Sequence, residues 1–163
     1  MRAWKNLDVP LTLEPMDPSR LRPWYDACQV EYLEDLIRSG KTPEQAREKA
    51  DEPFEECFPH GVPAPGHLVL DIVHDGERVG YVWIGRQSNG GPGDWWLWDL
   101  AIDEPHRGHG LGRAALVLAE VEAQAHGATT LGLNVFGFNT AARALYESLG
   151  YGTMALQMTK RLG

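Results

Sequence analysis

The periodicity of apolar residues changes several times along the chain, and each change marks the border of a predicted element. Apolar residues at every second position predict a strand, and apolar residues three or four positions apart predict an amphipathic helix. Strands are predicted at residues 9–13, 67–73, 78–84, 95–102, 130–136 and 151–160. Helices are predicted at residues 19–40, from residue 42 to a proline-rich loop at 53–66, at 110–126 and at 140–149.

Turn and capping residues support these borders. Asp75-Gly76, between two predicted strands, is a strong signal for a two-residue hairpin. Thr42 followed by Gln45 gives the pattern of a capping box, and Ser19 is placed to cap the first helix. The element order is strand, helix, helix, three strands, helix, strand, helix and strand. This order predicts an α/β fold with one mixed sheet and helices on both faces.

Length and composition are those of one soluble globular domain over residues 1–163. Apolar residues make up 43% and charged residues 23% of the chain. No apolar run approaches the length of a membrane span, and the N-terminal residues lack the apolar core of a signal peptide. Cys28 and Cys57 form no disulfide framework, which predicts a reducing compartment, the cytoplasm. Cys57-x-x-His60 has poor ligand number and spacing, so no metal site is predicted.

Charge excludes one class of partner. The net charge is −8, and no basic stripe is present, so the sequence argues against a nucleic-acid partner. The charge is uneven, because residues 26–56 hold ten acidic side chains against four basic ones, which gives −6 for that segment.

The most informative segment is a glycine-rich turn between a strand and a helix. Residues 107–113 read Arg-Gly-His-Gly-Leu-Gly-Arg and follow the predicted strand 95–102. A turn that opens a helix directs unpaired N–H groups and the positive end of the helix dipole at one small space, which suits a phosphate or pyrophosphate. A nucleotide P-loop needs Gly-Lys-Ser/Thr here, and a dinucleotide fingerprint needs a glycine at Arg113. Both of these readings fail.

Two segments resemble the signatures of the GNAT acetyltransferases. Arg107, Gly110 and Gly112 match the signature Arg-x-x-Gly-x-Gly/Ala. Residues 139–146, Asn-Thr-Ala-Ala-Arg-Ala-Leu-Tyr, resemble the second signature and are followed by Leu-Gly-Tyr at 149–151. The two motifs occur in the family's order with a strand pattern between them, and the resemblance covers residues 68–160. It implies the GNAT fold, in which the strands near Ile102 and Phe136 run parallel and separate, leaving a notch for acetyl-CoA.

The resemblance implies that acetyl-CoA is the acyl donor and that two segments bind it. These are the strand, turn and helix at 95–126, which bind the pyrophosphate, and the second half of the donor site at 130–160. The strand end would offer backbone groups to the pantetheine arm. The expected donor contacts are Leu100, Ala101, Ile102, Arg107, Gly108, His109, Gly110, Leu111, Gly112, Arg113, Asn139 and Tyr146. Asn139 is also placed to cap its helix.

Two side chains are candidates for the proton transfers. Tyr146 lies where GNAT enzymes commonly protonate the thiolate of CoA, although an aromatic residue on the core face of a helix explains it too. Asp99 lies where many of these enzymes carry a basic Glu or Asp. Because aspartate is short, a relaying water is one version of that role. The alternative is that Asp99 only binds substrate or pairs with a cation.

The acceptor side is expected at residues 19–66. Glu31 is one of the acidic residues there that could steer a cationic amine, and solvated helix faces are the competing explanation. Asn134, in the middle of an apolar strand, needs a polar partner or orients a substrate. By alternation, Trp95 shares a face with Asp99 and is a candidate acceptor contact. The same alternation places Trp96 and Trp98 in the core.

These observations predict an N-acetyltransferase that transfers acetyl from acetyl-CoA to a primary amine by direct attack in a ternary complex. Two alternatives remain open: a CoA-binding or sensory module without chemistry, and an acyltransferase for longer acyl groups. The acceptor is a small molecule or a peptide. Dimers are common among similar proteins, so a homodimer is a further expectation that no residue of the sequence demonstrates.

Overall fold

The computed structural model describes residues 10–50, 57–87, 89–160 and 162. The first predicted residue of the first strand, Val9, lies outside these ranges, as do Phe54 and the acidic residues Glu52, Glu55 and Glu56. The strands are β1 (Leu11–Pro15), β2 (His67–His74), β3 (Glu77–Arg86), β4 (Asp94–Ile102) and β5 (Thr130–Leu133). The helices are α1 (Pro18–Arg38), α2 (Pro43–Ala50), α3 (Leu111–Ala125) and α4 (Thr140–Ser148), with short 3-10 turns at Pro59–Gly61 and Glu104–His106.

The five strands form one mixed sheet in the order β1-β2-β3-β4-β5. Neighbours are antiparallel from β1 to β4, and β4 pairs with β5 in parallel. The predicted hairpin is confirmed, because Asp75 and Gly76 both have positive φ, 51° and 78°, as a type I′ turn requires. The predicted mixed α/β sheet is therefore confirmed.

The helices pack on opposite faces of the sheet. On one face, the alanine-rich side of α3, which includes Ala119 and Ala123, packs with Val82 and Ile84 of β3. On the other face, Trp24 of α1 packs with Trp83 of β3. Small alanine side chains let a helix approach a sheet closely, and large aromatic ones fill a wider gap. Among the described residues, no helix has both the length and the apolarity to cross a membrane.

Of the two predicted helix caps, one is confirmed and the other is wrong. The capping box is confirmed, since the Thr42 N–H donates to Gln45 Oε1 and the Gln45 N–H donates to Thr42 Oγ1. The prediction that Ser19 caps α1 is wrong, because Asp17 is the cap and its carboxylate accepts from the Ser19 N–H at 2.8 Å. Pro18 occupies the first helical position, which suits a residue without an N–H.

One predicted strand ends early and another is not formed. The strand predicted at 130–136 ends at Leu133. The strand predicted at 151–160 is not formed, and residues 152–160 are exposed to solvent without regular secondary structure. Alternation identifies a segment that suits a sheet, but a strand also needs a neighbour, and no described strand of this chain pairs with it.

Candidate active site

The glycine-rich turn ends β4 and begins α3. After the 3-10 turn Glu104–His106, Gly108 and Gly110 take left-handed backbone with φ of 81° and 75°, which side-chain-bearing residues rarely adopt. Gly110 is the N-terminal cap of α3 and supplies no side chain to its first N–H groups. A Cβ at Gly108 or Gly110 would meet no atom within 4 Å. The first turn of α3 therefore opens on free space, as an anion site at a helix N-terminus requires.

Both arginines of the motif also hold the turn in place. Arg107 Nε donates to the Ile102 carbonyl at 2.8 Å, which ties the turn to the end of β4. Arg113 donates to Ser148 Oγ and so links α3 to the end of α4. His109 is exposed, whereas Leu111 is 4% exposed and belongs to the core. The backbone of Leu111, and not its side chain, is thus available to a ligand.

β4 and β5 separate halfway along β4. Their parallel pairing joins Asp94–Leu97 to Thr130–Leu133 and stops there, while β4 continues to Ile102. From Leu100 to Ile102, β4 pairs only with β3, through Val82, Tyr81 and Gly80. On its β5-facing side, this backbone therefore has no strand neighbour among the described residues. This is the notch that the sequence resemblance implied.

A β-bulge at Trp98 decides which side chains of β4 face which helix. Trp83 pairs with Asp99 and Ile84 with Leu97, so Trp98 has no partner on β3. An extra residue reverses the in-and-out alternation beyond it. Trp95 and Leu97 consequently face α3, whereas Asp99 faces α1.

The predicted placement of Trp95 beside Asp99 is therefore wrong. Trp95 is 2% exposed, lies in the α3-side core and packs against the His126 ring at 5.8 Å. Trp98, predicted to be core, is instead 36% exposed and stacks on Trp83 at 5.4 Å and on His67 at 5.9 Å. Both predictions depend on regular alternation of side chains along β4, and the extra residue at Trp98 breaks that alternation.

Asp99 is held by donors from two strands. Tyr81 of β3 donates its hydroxyl to Asp99 Oδ2 at 2.9 Å, and the Leu100 N–H donates to Oδ1 at 2.8 Å. Cys28 of α1 donates to the Tyr81 hydroxyl oxygen at 3.4 Å, which completes a chain from helix to carboxylate. Burial raises the pKa of Asp99 above its usual range although these hydrogen bonds lower it. Burial also raises the pKa of Tyr81 and brings that of the Cys28 thiol to about 12, so both stay protonated donors.

Further charged groups face the same space. Partial burial, Asp99 and Asp35 raise the pKa of Glu31, and the Arg107 guanidinium opposes this rise. Glu31 and Asp35 come from α1 and Arg107 from the glycine turn. Glu31 of α1 and Asp99 of β4 thus influence each other electrostatically on the face of the sheet that α1 covers.

Tyr146 and Asn139 are contributed by α4. The Asn139 side chain accepts from the Ala142 N–H at 3.1 Å and caps the helix. Tyr146 packs against the α3-side core and beside the Tyr151 ring at 5.7 Å. Burial, and secondarily the charge of Asp99, raise the pKa of its phenol. Within the described residues, no protein group forms a hydrogen bond with the Tyr146 hydroxyl.

Asn134 differs from its predicted setting. It lies one residue beyond the end of β5 and is exposed, so it is not a polar group enclosed in an apolar strand. The loop that follows packs on the C-terminal half of α1: Phe136 lies 6.3 Å from the Tyr32 ring, and the Arg38 guanidinium lies 4.2 Å from the Phe138 ring centre. This loop therefore borders the C-terminal half of α1.

The family model described as Acetyltransferase (GNAT) family matches residues 22–151. The chain belongs to the GNAT acetyltransferase family. The chain is 28% identical to the uncharacterized N-acetyltransferase YycN of Bacillus subtilis, over 93% of this chain and 99% of YycN. The crystal structure of YycN superposes with a TM-score of 0.83 over 94% of this chain and 99% of that one.

Two further similarities are more limited, one to part of the chain and one to the fold alone. The ribosomal protein bS18-alanine N-acetyltransferase of Escherichia coli K12 is 41% identical, but only over 37% of this chain and 41% of its own length. The aminoglycoside N-acetyltransferase AAC(6')-Iy, in complex with CoA, shares the fold at 13% identity, with a TM-score of 0.59 over 94% of this chain and 95% of that one. This GNAT chain is accordingly an N-acetyltransferase.

Sequence reasoning missed Tyr81 and Cys28. Their hydrogen bonds to each other and to Asp99 join elements that are distant in sequence. Alternation along β3 already placed Tyr81 on the face of Trp83, and that signal could have identified it. No signal in the sequence marked the partner on α1.

The raised pKa of Asp99 predicts a particular pH dependence of stability. Because the folded-state pKa lies above the ordinary value of 3.8, Asp99 favours folding below that pH, and this contribution is lost as the pH rises through the folded-state pKa. The free energy of unfolding of the wild type, minus that of Asp99→Asn, should therefore fall with increasing pH. Urea unfolding at a series of pH values measures this difference. Asp75→Asn, at an exposed aspartate, is the control, and a difference independent of pH would contradict the prediction.

Proposed function

We propose that this GNAT enzyme transfers the acetyl group of acetyl-CoA directly to a primary amine, with both substrates bound at once. The observation that carries the proposal is the separation of β4 from β5 beside the glycine turn, with Asp99 on β4 two residues beyond the last paired residue, Leu97. Asp99 is on β4 where the strands have separated, and its charge acts on the phenol of Tyr146. We assign to Asp99 the role of proton acceptor and to Tyr146 the role of proton donor at this opening beside the glycine turn.

The donor side is proposed to bind acetyl-CoA mainly through backbone groups. The N–H groups from Gly108 to Gly112 suit the pyrophosphate, because the positive φ at Gly108 and Gly110 leaves an open cradle in front of α3. The free side of β4 at Leu100, Ala101 and Ile102 suits the amide-bearing pantetheine arm as a strand-like partner. A backbone N–H there polarises the thioester carbonyl.

The chemistry needs one proton removed and one supplied. The nitrogen of the neutral amine attacks the thioester carbon, the carbon–sulfur bond breaks, and the thiolate of CoA leaves. Asp99 accepts the proton lost by the nitrogen, directly or through a water, and Tyr146 donates a proton to the sulfur. Burial raises the pKa of Asp99 and so makes its carboxylate a stronger base. It also raises the pKa of Tyr146, so the phenol stays protonated but is a weaker acid and must be directed at the thiolate to donate its proton. Proton exchange with solvent then returns Asp99 to its deprotonated form and Tyr146 to its protonated form.

The acceptor is proposed to carry positive charge. Glu31 and Asp35 on α1 and Asp99 on β4 influence one another electrostatically across the acceptor side. Like charges held together raise one another's pKa, and a cation placed between them relieves that cost. Arg107 offsets part of the charge, although its Nε is already bonded to Ile102.

A charge in the glycine turn tests the donor site. In Gly110→Glu, a carboxylate would stand in the cradle and repel the pyrophosphate, so affinity for acetyl-CoA should fall by about a hundredfold or more. The matched control is Gly127→Glu, because Gly127 also has positive φ and open space around it but lies beyond the other end of α3. Calorimetry with acetyl-CoA measures both. Equal affinities would place the donor elsewhere.

Removal of one hydroxyl tests the proposed acid. Tyr146→Phe should lower kcat by about a hundredfold while the Kd of acetyl-CoA stays unchanged, because the hydroxyl acts only once the thiolate forms. Tyr151→Phe is the control, since its ring is adjacent and its hydroxyl donates instead to Glu120 at 3.0 Å. Thiol release in an amine screen gives the rates. An unchanged kcat in Tyr146→Phe would assign the residue to packing, and acetyl-CoA binding without turnover in the wild type would favour a sensory module.

Neutralising one acidic side chain tests the acceptor charge. Glu31→Gln should raise the KM of a cationic amine about threefold to fivefold and weaken its dependence on salt. Glu48→Gln on α2 removes the same charge at an exposed site away from Asp99 and should change neither quantity. An unchanged KM in Glu31→Gln would show that this carboxylate is only a solvated surface group.

A further inference from the structure

We infer that the indole of Trp98 binds a second cationic group of the amine acceptor, which stays charged while the amine itself reacts beside Asp99. The inference rests on the proposed function, because it names a further contact on the acceptor side of that site. Trp98 is the extra residue of the β4 bulge and is 36% exposed. Since it has no partner on β3, the stacking of neighbouring rings fixes the position of its indole.

The bulge places the Trp98 indole and the Asp99 carboxylate on the same face of the sheet. Consecutive residues of a regular strand point to opposite faces. Here Asp99 pairs with Trp83, and the Trp98 ring stacks on the Trp83 ring at 5.4 Å, so both side chains lie on the face that α1 covers. Because consecutive Cα atoms are about 3.8 Å apart, one small molecule can reach both side chains.

The Trp98 ring is supported from one side. Among the described residues, the rings that stack on it are Trp83 at 5.4 Å and His67 at 5.9 Å, and these two lie 6.0 Å from each other. Rings on opposite sides of an indole would be much farther apart, so both partners lie on the same side. Trp83 is itself packed between Phe58 at 5.2 Å and Trp24 at 5.7 Å. The exposed part of Trp98 is therefore a flat platform with a rigid support.

The platform suits a cation. The Trp83 Nε1–H donates to His67 Nδ1 at 3.2 Å, and an indole N–H can only donate, so Nδ1 is unprotonated. Burial lowers the pKa of His67, which keeps this ring neutral beneath the platform. No positive charge in the stack therefore repels a ligand cation, and tryptophan attracts cations to its face more strongly than other aromatic residues. Glu31 and Asp99 add negative charge on the same face of the sheet.

The reaction decides which cation can occupy the platform. The attacking nitrogen must be neutral, so the reacting amine gives up its own positive charge before it attacks. A separate cationic group keeps its charge throughout and can stay on the indole while the neutral amine lies at Asp99. The acceptor class is therefore a primary amine that carries a second cationic group a few carbon atoms away.

A matched pair of amines tests this class. The first is aminobutyl-trimethylammonium, and the second is its neutral isostere, in which a tert-butyl group replaces the quaternary ammonium. Trp98→Leu keeps an apolar side chain but removes the aromatic face, so it should lower the ratio of the two kcat/KM values about threefold to tenfold relative to the wild type. The quaternary group donates no hydrogen bond, so hydrogen bonding to a carboxylate cannot cause this change.

Two further variants control the kinetic test. Trp98→Phe retains an aromatic face and should keep part of the preference, and circular dichroism checks that both Trp98 variants fold. Val121→Ala, at an exposed apolar position of α3 on the other side of the sheet, should keep the wild-type ratio. A ratio that Trp98→Leu leaves at the wild-type value, including an equal loss of rate for both amines, would assign Trp98 to packing and overturn the inference.

A binding measurement separates this inference from the proposed function. The Trp98 indole N–H gives a heteronuclear NMR signal, which its loss in Trp98→Phe identifies. In the wild type with CoA present, the quaternary amine should shift this signal with a Kd about threefold to tenfold below that of the isostere. Such binding without any acetyl transfer would support the inference and contradict the proposed function. Acetyl transfer to both amines with equal Kd values would overturn the inference and leave the proposed function standing.

Discussion

The partial pairing of β4 is the constraint on which the rest of the structure depends. β5 pairs only with the first half of β4, and the bulge at Trp98 lies just beyond the last paired residue, Leu97. The bulge turns Asp99 towards α1, and the missing partner leaves the backbone of Leu100 to Ile102 open on one side. A longer β5 would close the notch. A regular β4 would direct the carboxylate at α3 instead.

The hydrogen-bonded chain from Cys28 through Tyr81 to Asp99 balances an electrostatic cost. Burying a carboxylate disfavours its charged form, and two donors restore part of what solvent would supply. The same chain fixes the position of α1 relative to the sheet, because Cys28 belongs to the helix and Tyr81 to β3. A shift of α1 would therefore alter the basicity of Asp99. The position of α1 and the proton affinity of Asp99 are thus coupled through the contact between Cys28 and Tyr81.

The predictable part of this structure is the part that local backbone rules specify. Positive φ at Gly110, the hairpin at Asp75-Gly76 and the cap at Asn139 each follow from a few neighbouring residues, and the structure contains all three. Trp95 was misplaced because a bulge depends on the match between two strands, which no single segment encodes. Residues 151–160 alternate as a strand does, but pairing requires a partner that the pattern cannot supply. Tyr81 joins the site only through contacts that are distant in sequence.

The same contrast, between local backbone rules and side-chain contacts distant in sequence, distinguishes the proposed binding site of the acyl donor from that of the amine acceptor. The proposed donor side consists of backbone groups of the glycine turn and β4, and α3 links it to the end of α4 through Arg113 with Ser148 and to Tyr151, beyond that helix, through Glu120. The proposed acceptor side consists of side chains of α1 and of the loop after β5, which are in contact through Tyr32 with Phe136 and Arg38 with Phe138. Backbone contacts tolerate changes of side chain, whereas an acceptor surface changes with each substitution. The two motifs that identify the family lie in the glycine turn and α4, whereas the proposed acceptor side depends on side chains of α1, and this is why the family can be recognised from the sequence and the acceptor cannot.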